Sequence, residues 1–187
     1  MEVSDTRRVK RSARMMVWIA SRRRLAGIVT TALLFATHGA LPAHAAEALV
    51  ILPIKLLDTS GEPTDQASQH AERLVHLADS LAADLSRMGL YRATVLPPDS
   101  LRQACPSEDI ACLLEAARAR GAELIFVGVV HKSSTLILQL WARVVDARTG
   151  RDLFSRDLNF RGDTDEAWQR AQGFLISQIR DGTLDRR

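Results

Sequence analysis

The chain has 187 residues, 47% hydrophobic and 25% charged, which is enough apolar content for one folded domain and too little charge for a disordered chain. Its 25 Lys+Arg against 22 Asp+Glu give a net charge of +3 and a pI near 9.3, which invites a nucleic-acid reading. The location of the charges removes that reading: residues 1–45 hold eight bases and two acids, so residues 46–187 hold 17 bases and 20 acids and carry −3. No nucleic-acid partner is expected.

Arg22-Arg23-Arg24 precede an apolar run from Leu25 to Ala36, followed by His38-Gly39, Pro42 and Ala43-His44-Ala45. A cationic start, a short apolar stretch and a small-residue end form the pattern of a secretory signal peptide, with cleavage predicted after Ala45. Residues 46–182 are then the exported domain and 183–187 a frayed tail. Export through Sec is expected; Ser21-Arg22-Arg23-Arg24-Leu25 partly matches a twin-arginine motif, which leaves Tat as the alternative. Leu25 to Ala46 is also long enough to span a bilayer, so an uncleaved inner-membrane anchor is the competing reading, although Thr30, Thr31, Gly39 and Pro42 dilute it. In either case the membrane is met only through this segment. With no Cys near the cut, acylation is excluded, and the expected location is the periplasm.

In the exported part, Ala48 to Leu57 reads as one buried strand ending at Asp58-Thr59-Ser60-Gly61. Thr64 or Asp65 caps a long helix whose apolar face is Leu74, Ala78, Leu81, Leu85 and Met88, with Gly89 just past its end. Tyr91 to Leu96 is a second strand, stopped by Pro97-Pro98. A short helical turn over Asp99 to Cys105 and a firmer helix from Ser107 or Glu108 to Gly121 follow. Leu124 to Val130, the most hydrophobic segment, is the predicted central strand, and Gly128 within it suggests a close neighbour. Thr135 to Val145 alternates as a strand, Asp146 to Gly150 is a hairpin turn, and Leu153 to Phe160 returns. Asp163 caps a last helix, with Glu166 three residues on and Trp168, Ala171, Leu175 and Ile179 as its buried stripe. The order β-α-β-α-β-β-β-α predicts one α/β domain: a mixed five-stranded sheet with three parallel strands and an antiparallel meander.

Cys105 and Cys112 both lie in the exported part, where an oxidising compartment favours pairing; a structural disulfide is expected, with free thiols as the alternative. The spacing is not that of a redox or zinc motif. No phosphate-binding loop, nucleophile elbow or zinc signature is present, so no cofactor, no metal and no catalytic set are expected. His70 and His76, about 240° apart on a helix, cannot share a metal and are read as solvated. Trp141 and Trp168 read as core rather than as ligand platforms.

One constellation follows from topology. Parallel strands one, three and five end on the same sheet edge, at Asp58-Thr59-Ser60, at His131-Lys132-Ser133-Ser134, and at Arg161-Gly162-Asp163-Thr164-Asp165-Glu166. Lys132 and Arg161 could hold a carboxylate or phosphate beside a helix N-terminus. The competing reading is that these charges pair with one another and tie the loops together.

Leu52-Pro53 through Asp58-Thr59-Ser60, Gly121-Ala122-Glu123-Leu124 with Gly128, Lys132-x-Ser134-x-Leu136-Ile137-Leu138, Asp146-x-x-Thr149-Gly150 and Arg161-Gly162-x-Thr164-Asp165-Glu166-x-Trp168 resemble a proteobacterial family of exported proteins of unknown function. The likeness spans about 48–180. That family's domain is similar to the N-terminal domain of TolB and to the CsgG-type α/β domain, which bind other envelope proteins without catalysis. The resemblance therefore implies a soluble, non-enzymatic accessory protein with a protein partner in the envelope. It also implies an association with periplasmic quinoprotein alcohol-oxidation systems. The alternative is a carboxylate or phosphate sensor built on Asp58, Thr59, Ser60, Lys132, Ser134, Arg161, Thr164, Asp165, Glu166 and Trp168. Some members of that family are lipoproteins; this chain lacks the acylated Cys.

Overall fold

A computed structural model of the chain describes residues 46–184. The expected signal peptide and its cleavage point at residues 1–45, and the tail from 185, lie outside the described residues. In chain order the elements are β1 (Glu47–Ile51), β2 (Lys55–Asp58), α1 (Ala67–Arg87), β3 (Tyr91–Val95), α2 (Pro98–Ala104), α3 (Ile110–Arg118), β4 (Leu124–Lys132), β5 (Leu138–Asp146), β6 (Asp152–Phe160) and α4 (Asp165–Leu184). They form one mixed α/β domain around a six-stranded sheet ordered β3-β1-β4-β5-β6, with β2 beside β4. β1 and β2 run parallel to β4, β3 runs parallel to β1, and β4-β5-β6 is the expected antiparallel meander.

The sixth strand comes from a break in the first. Ile51 pairs with Phe126, but Lys55 pairs with Val129, so one extra residue is inserted on the β1–β2 side. Pro53, which has no N–H to give the ladder, sits in this bulge. The bulge reverses the side-chain phase. Before it, Leu49 and Ile51 face the α1–α4 layer; after it, Ile54 and Leu56 do. Asp58 is thereby turned to the same side as Lys132, and Lys55 and Leu57 to the other.

Two cores flank the sheet. On one face Leu77, Leu81 and Leu85 of α1 and Trp168, Leu175 and Ile179 of α4 pack on Leu49, Ile51, Phe126, Val130, Leu140 and Val144. Each fully buried leucine contributes about 2 kcal/mol. On the other face Leu101, Leu114 and Ala117 of α2 and α3 cover Val50, Leu52, Ile125 and Val145. That second cover is partial: Val127, Val129 and Trp141 stay half-buried beyond it. Cys105 and Cys112 are bonded and tie α2 to α3, with Cα atoms 5.6 Å apart.

Several boundaries differ from expectation. α1 starts at Ala67 rather than beside Thr64, because the Asp65 carboxylate accepts the Ala67 N–H at 2.9 Å and holds a turn before the helix. Its end is as expected: Gly89 takes φ +66°, and the Gly89 and Leu90 N–H groups donate to the Ser86 and Leu85 carbonyls. α3 starts at Ile110, capped by Asp109, whose carboxylate accepts the Cys112 N–H. β4 extends to Lys132, and Thr135 to Ile137, expected to open the next strand, join Ser133 and Ser134 in the hairpin tip. There the Ser134 hydroxyl accepts the Leu136 and Ile137 N–H groups, both at 3.2 Å, and bends the chain. α4 is capped by Thr164 rather than Asp163, the Thr164 hydroxyl accepting the Ala167 N–H at 3.3 Å, and it runs on to Leu184 past Asp181-Gly182.

Candidate functional site

The three loops do converge on one sheet edge. Lys132 is the last residue of β4 and continues its inward-facing series Leu124, Phe126, Gly128 and Val130, so its side chain runs under α1 and α4 and is 0% exposed. Its ammonium donates to Glu62 Oε2 at 2.9 Å, to Gln66 Oε1, and to Asp163 Oδ2 at 3.3 Å, with Asp58 Oδ2 at 3.7 Å. An ammonium has three protons, and here each has an acceptor. Burial works to lower its pKa, but the hydrogen bonds to Glu62 and Asp163 outweigh it, and the value stands above the usual 10.5.

Asp163 is the second centre. With 2% of its side chain exposed, Oδ1 accepts from Arg73 Nη1 at 2.8 Å and from Trp168 Nε1 at 3.0 Å. Its Oδ2 accepts from His70 Nε2 at 2.7 Å and from Lys132. Burial pushes this carboxyl up, yet the hydrogen bonds from His70 and Trp168, the nearby His70 charge and Lys132 together hold it below its usual value. His70 is 3% exposed and stacks on Trp168 with ring centroids 6.4 Å apart, which corrects its reading as a solvated residue. It lies seven residues before Leu77, two helical turns along the same buried stripe. Arg73, one turn further, also donates Nε to Asp165 Oδ1 at 2.7 Å.

The remaining predicted residues frame this knot. The Ser60 hydroxyl and N–H both donate to Asp58 Oδ1, at 2.7 and 2.9 Å, and these bonds lower the Asp58 pKa. The Thr59 N–H donates to the Lys132 carbonyl at 2.9 Å, and its hydroxyl lies 2.8 Å from His131 Nε2. The Lys132 hydrogen bond lowers the pKa of Glu62, whose other oxygen accepts the Thr135 N–H at 2.7 Å. Glu166 stays exposed; its own N–H and the Thr164 hydroxyl lower its pKa. Arg161 is exposed with no ion-pair partner among the described residues. The structure thus gathers Asp58, Lys132, Asp163, Asp165 and Trp168, and adds Glu62, Gln66, His70 and Arg73, while Arg161 and Glu166 remain outside the cluster. Trp168 is core, with Phe160 edge-on at 5.9 Å; Trp141 is half-buried on the opposite sheet face, tilted against His131.

One surface groove adjoins the knot, and a second hollow lies on the other sheet face. A groove of about 520 Å³ runs between α1 and α4, walled by Gln69, Glu72, Arg73, His76, Asp165 and Gln169. On the far sheet face a hollow of about 300 Å³ is lined by Val127, Val129, Trp141, Arg143 and Asp157. Leu136 and Ile137, at the hairpin tip, are 68% and 52% exposed. Among the described residues no helix is long and apolar enough to cross a membrane.

Residues 47–179 match the sequence profile of DUF3280, described as "Protein of unknown function (DUF2380)". No curated protein matches the chain. Among solved structures it is similar to the PelC dodecamer from Paraburkholderia phytofirmans, with 14% identity, a TM-score of 0.48, and coverage of 72% of this chain and 88% of that one. TolB from Acinetobacter baumannii is similar at 17% identity and a TM-score of 0.45, over 73% of this chain and 28% of that one. The LpoB C-terminal domain from Salmonella enterica is similar at 12% identity and a TM-score of 0.40, over 63% of this chain and 85% of that one.

Proposed function

The chain belongs to the DUF3280 family, and on that footing we propose that it is an exported accessory protein of the cell envelope, working in the periplasm by binding a protein partner without catalysis. The observation that carries this reading is how the polar edge is used. Lys132, the cation best placed to take a small anion, is enclosed and its donors are occupied. The cluster stores its charges internally and fixes the loops. The surface it fixes is apolar and outward: the Leu136–Ile137 tip, and beyond it the uncovered half of the sheet. An exposed aliphatic tip on a rigid support suits a macromolecule better than a metabolite.

The test is affinity capture from periplasmic extract with the tagged protein and with its Leu136→Asp/Ile137→Asp form. A reproducible partner that the altered tip loses supports the reading; no reproducible partner overturns it.

A second reading, a sensor of a small carboxylate or phosphate, takes the groove between α1 and α4 as its site, with His76, Gln69 and Gln169 on its walls. A thermal-shift screen with carboxylates and phosphates tests it. A response abolished by His76→Ala supports it, and a flat screen removes it.

A further inference from the structure

We propose that the chain associates with itself head to tail, the Leu136–Ile137 tip of one copy seating in the Val127–Val129–Trp141 hollow of the next. This rests on reading that surface as a docking surface, and it names the occupant as a second copy of this chain.

The tip is built to stay presented. The Thr135 N–H donates to Glu62 at 2.7 Å, and the Thr135 and Leu136 carbonyls accept the Asp163 and Gly162 N–H groups at 2.9 and 3.3 Å. The Ile137 carbonyl accepts the Ser133 N–H at 3.1 Å. With its backbone held from three segments, the tip cannot fold its two aliphatic side chains back onto its own core. A pre-ordered knob also loses little conformational freedom on seating.

The hollow matches the knob in size and character. Truncating one core leucine to alanine in a well-studied lysozyme leaves a cavity of about 150 Å³, so a hollow of about 300 Å³ accommodates two such side chains. Its floor is Val127, Val129 and Trp141. On its rim Arg143 is already engaged by Asp152 and Ser155. Asp157 is exposed and has no cationic partner among the described residues. The tip, in turn, carries Arg161 beside it, one residue before the Gly162 that is bonded to Leu136. A seated tip therefore brings an uncommitted cation to an uncommitted carboxylate, and the charge complementarity selects this occupant.

The contact cannot form within one molecule. Tip and hollow lie on the same hairpin, and the extended strand from Leu138 to Trp141, about 10 Å long, separates them. In this head-to-tail arrangement each copy gives its tip to one neighbour and its hollow to another, so assembly continues past the dimer into a ring or an open filament.

Sedimentation velocity on the protein as the cell produces it, from roughly 10 µM to 1 mM, covers the range in which so small a contact associates. The mass should rise with concentration beyond a dimer. Leu136→Asp, at an exposed position, should weaken association more than about tenfold. Asp157→Arg and Arg161→Glu should each weaken it severalfold, and the chain carrying both should recover. A protein that stays monomeric throughout overturns self-association while leaving capture of another partner untouched. Association unaffected by Leu136→Asp, or not recovered by the double charge exchange, overturns the tip-in-hollow contact.

Discussion

Replacing Lys132 with methionine removes the cation of the buried knot while keeping an unbranched side chain of similar reach. Breaking a buried ion pair from one side costs about 3–5 kcal/mol, because the other charge is left in place. In this knot the cost sits at the lower end. Asp163 keeps the Arg73 and His70 bonds, and Asp58 and Glu62, with 37% and 23% of their side chains exposed, regain water. A loss of about 3 kcal/mol corresponds to a fall in Tm of about 10 °C for a domain of this size. Acid adds a second arm. Asp163, Asp58 and Glu62 are held below 3.8, 3.8 and 4.5 in the folded protein, so their contribution is present above those unfolded values and is lost as pH falls through the folded ones. Lys132 is held above 10.5, so its contribution is complete below that value and is lost as pH rises through the folded one. Without Lys132 the carboxylates lose one of the groups that favour their ionised form, and the gap between native protein and variant narrows below about pH 4. Urea unfolding at neutral and acid pH reads both arms. A variant within about 0.5 kcal/mol of the native protein, or a gap that widens in acid, refutes the account of the knot.

Three further outcomes follow. Cys105→Ser/Cys112→Ser opens a loop between residues seven apart and should cost about 2.5 kcal/mol on the chain-entropy relation, read as a lower urea midpoint that matches the reduced native protein. Gly128→Ala places a Cβ 3.0 Å from a Phe126 ring carbon and 3.3 Å from two Ile54 carbons at the bulge, and should destabilise by about 1–3 kcal/mol in thermal melts. The intact mass of the protein recovered from the periplasm should begin at Ala46 and lack two protons for the Cys105–Cys112 bond; a full-length mass in the cytoplasm would remove the export reading.

The strand and helix order was legible because each element carries its own period. Leu136 to Val145 alternates, Leu74 to Leu85 repeats at three and four, and Gly89, Gly121 and Gly150 take positive φ where a helix or turn must end. The convergence of the three loops followed from strand direction alone. What it holds together was harder to read. Lys132 falls on the inward beat of β4, but a charged residue at a strand end gives no sign that it is enclosed until its partners are known. Two of those partners, Glu62 and Gln66, come from the loop before α1, whose placement depends on the Pro53 bulge. That bulge looks in sequence like one more residue of a continuous apolar strand. His70 lies on the stripe of Leu74, Leu77 and Leu81, and its seven-residue offset from Leu77 is the signal in the sequence for its burial.

The knot also sets the order in which the chain can finish folding. Lys132 takes its buried carboxylate from Asp163, which follows it by the whole length of the β5–β6 hairpin. Glu62 and Asp58 are made earlier but stay part-exposed, so a chain emerging N-terminus first holds the ammonium without its fully buried counter-charge until the start of α4 has appeared. The sheet can pair beforehand, but the layer above it closes only when the final segment arrives, so a chain truncated before Asp163 meets the cost of an enclosed, half-compensated charge and stays open to proteolysis. The ion cluster thus acts as a completeness check on the polypeptide.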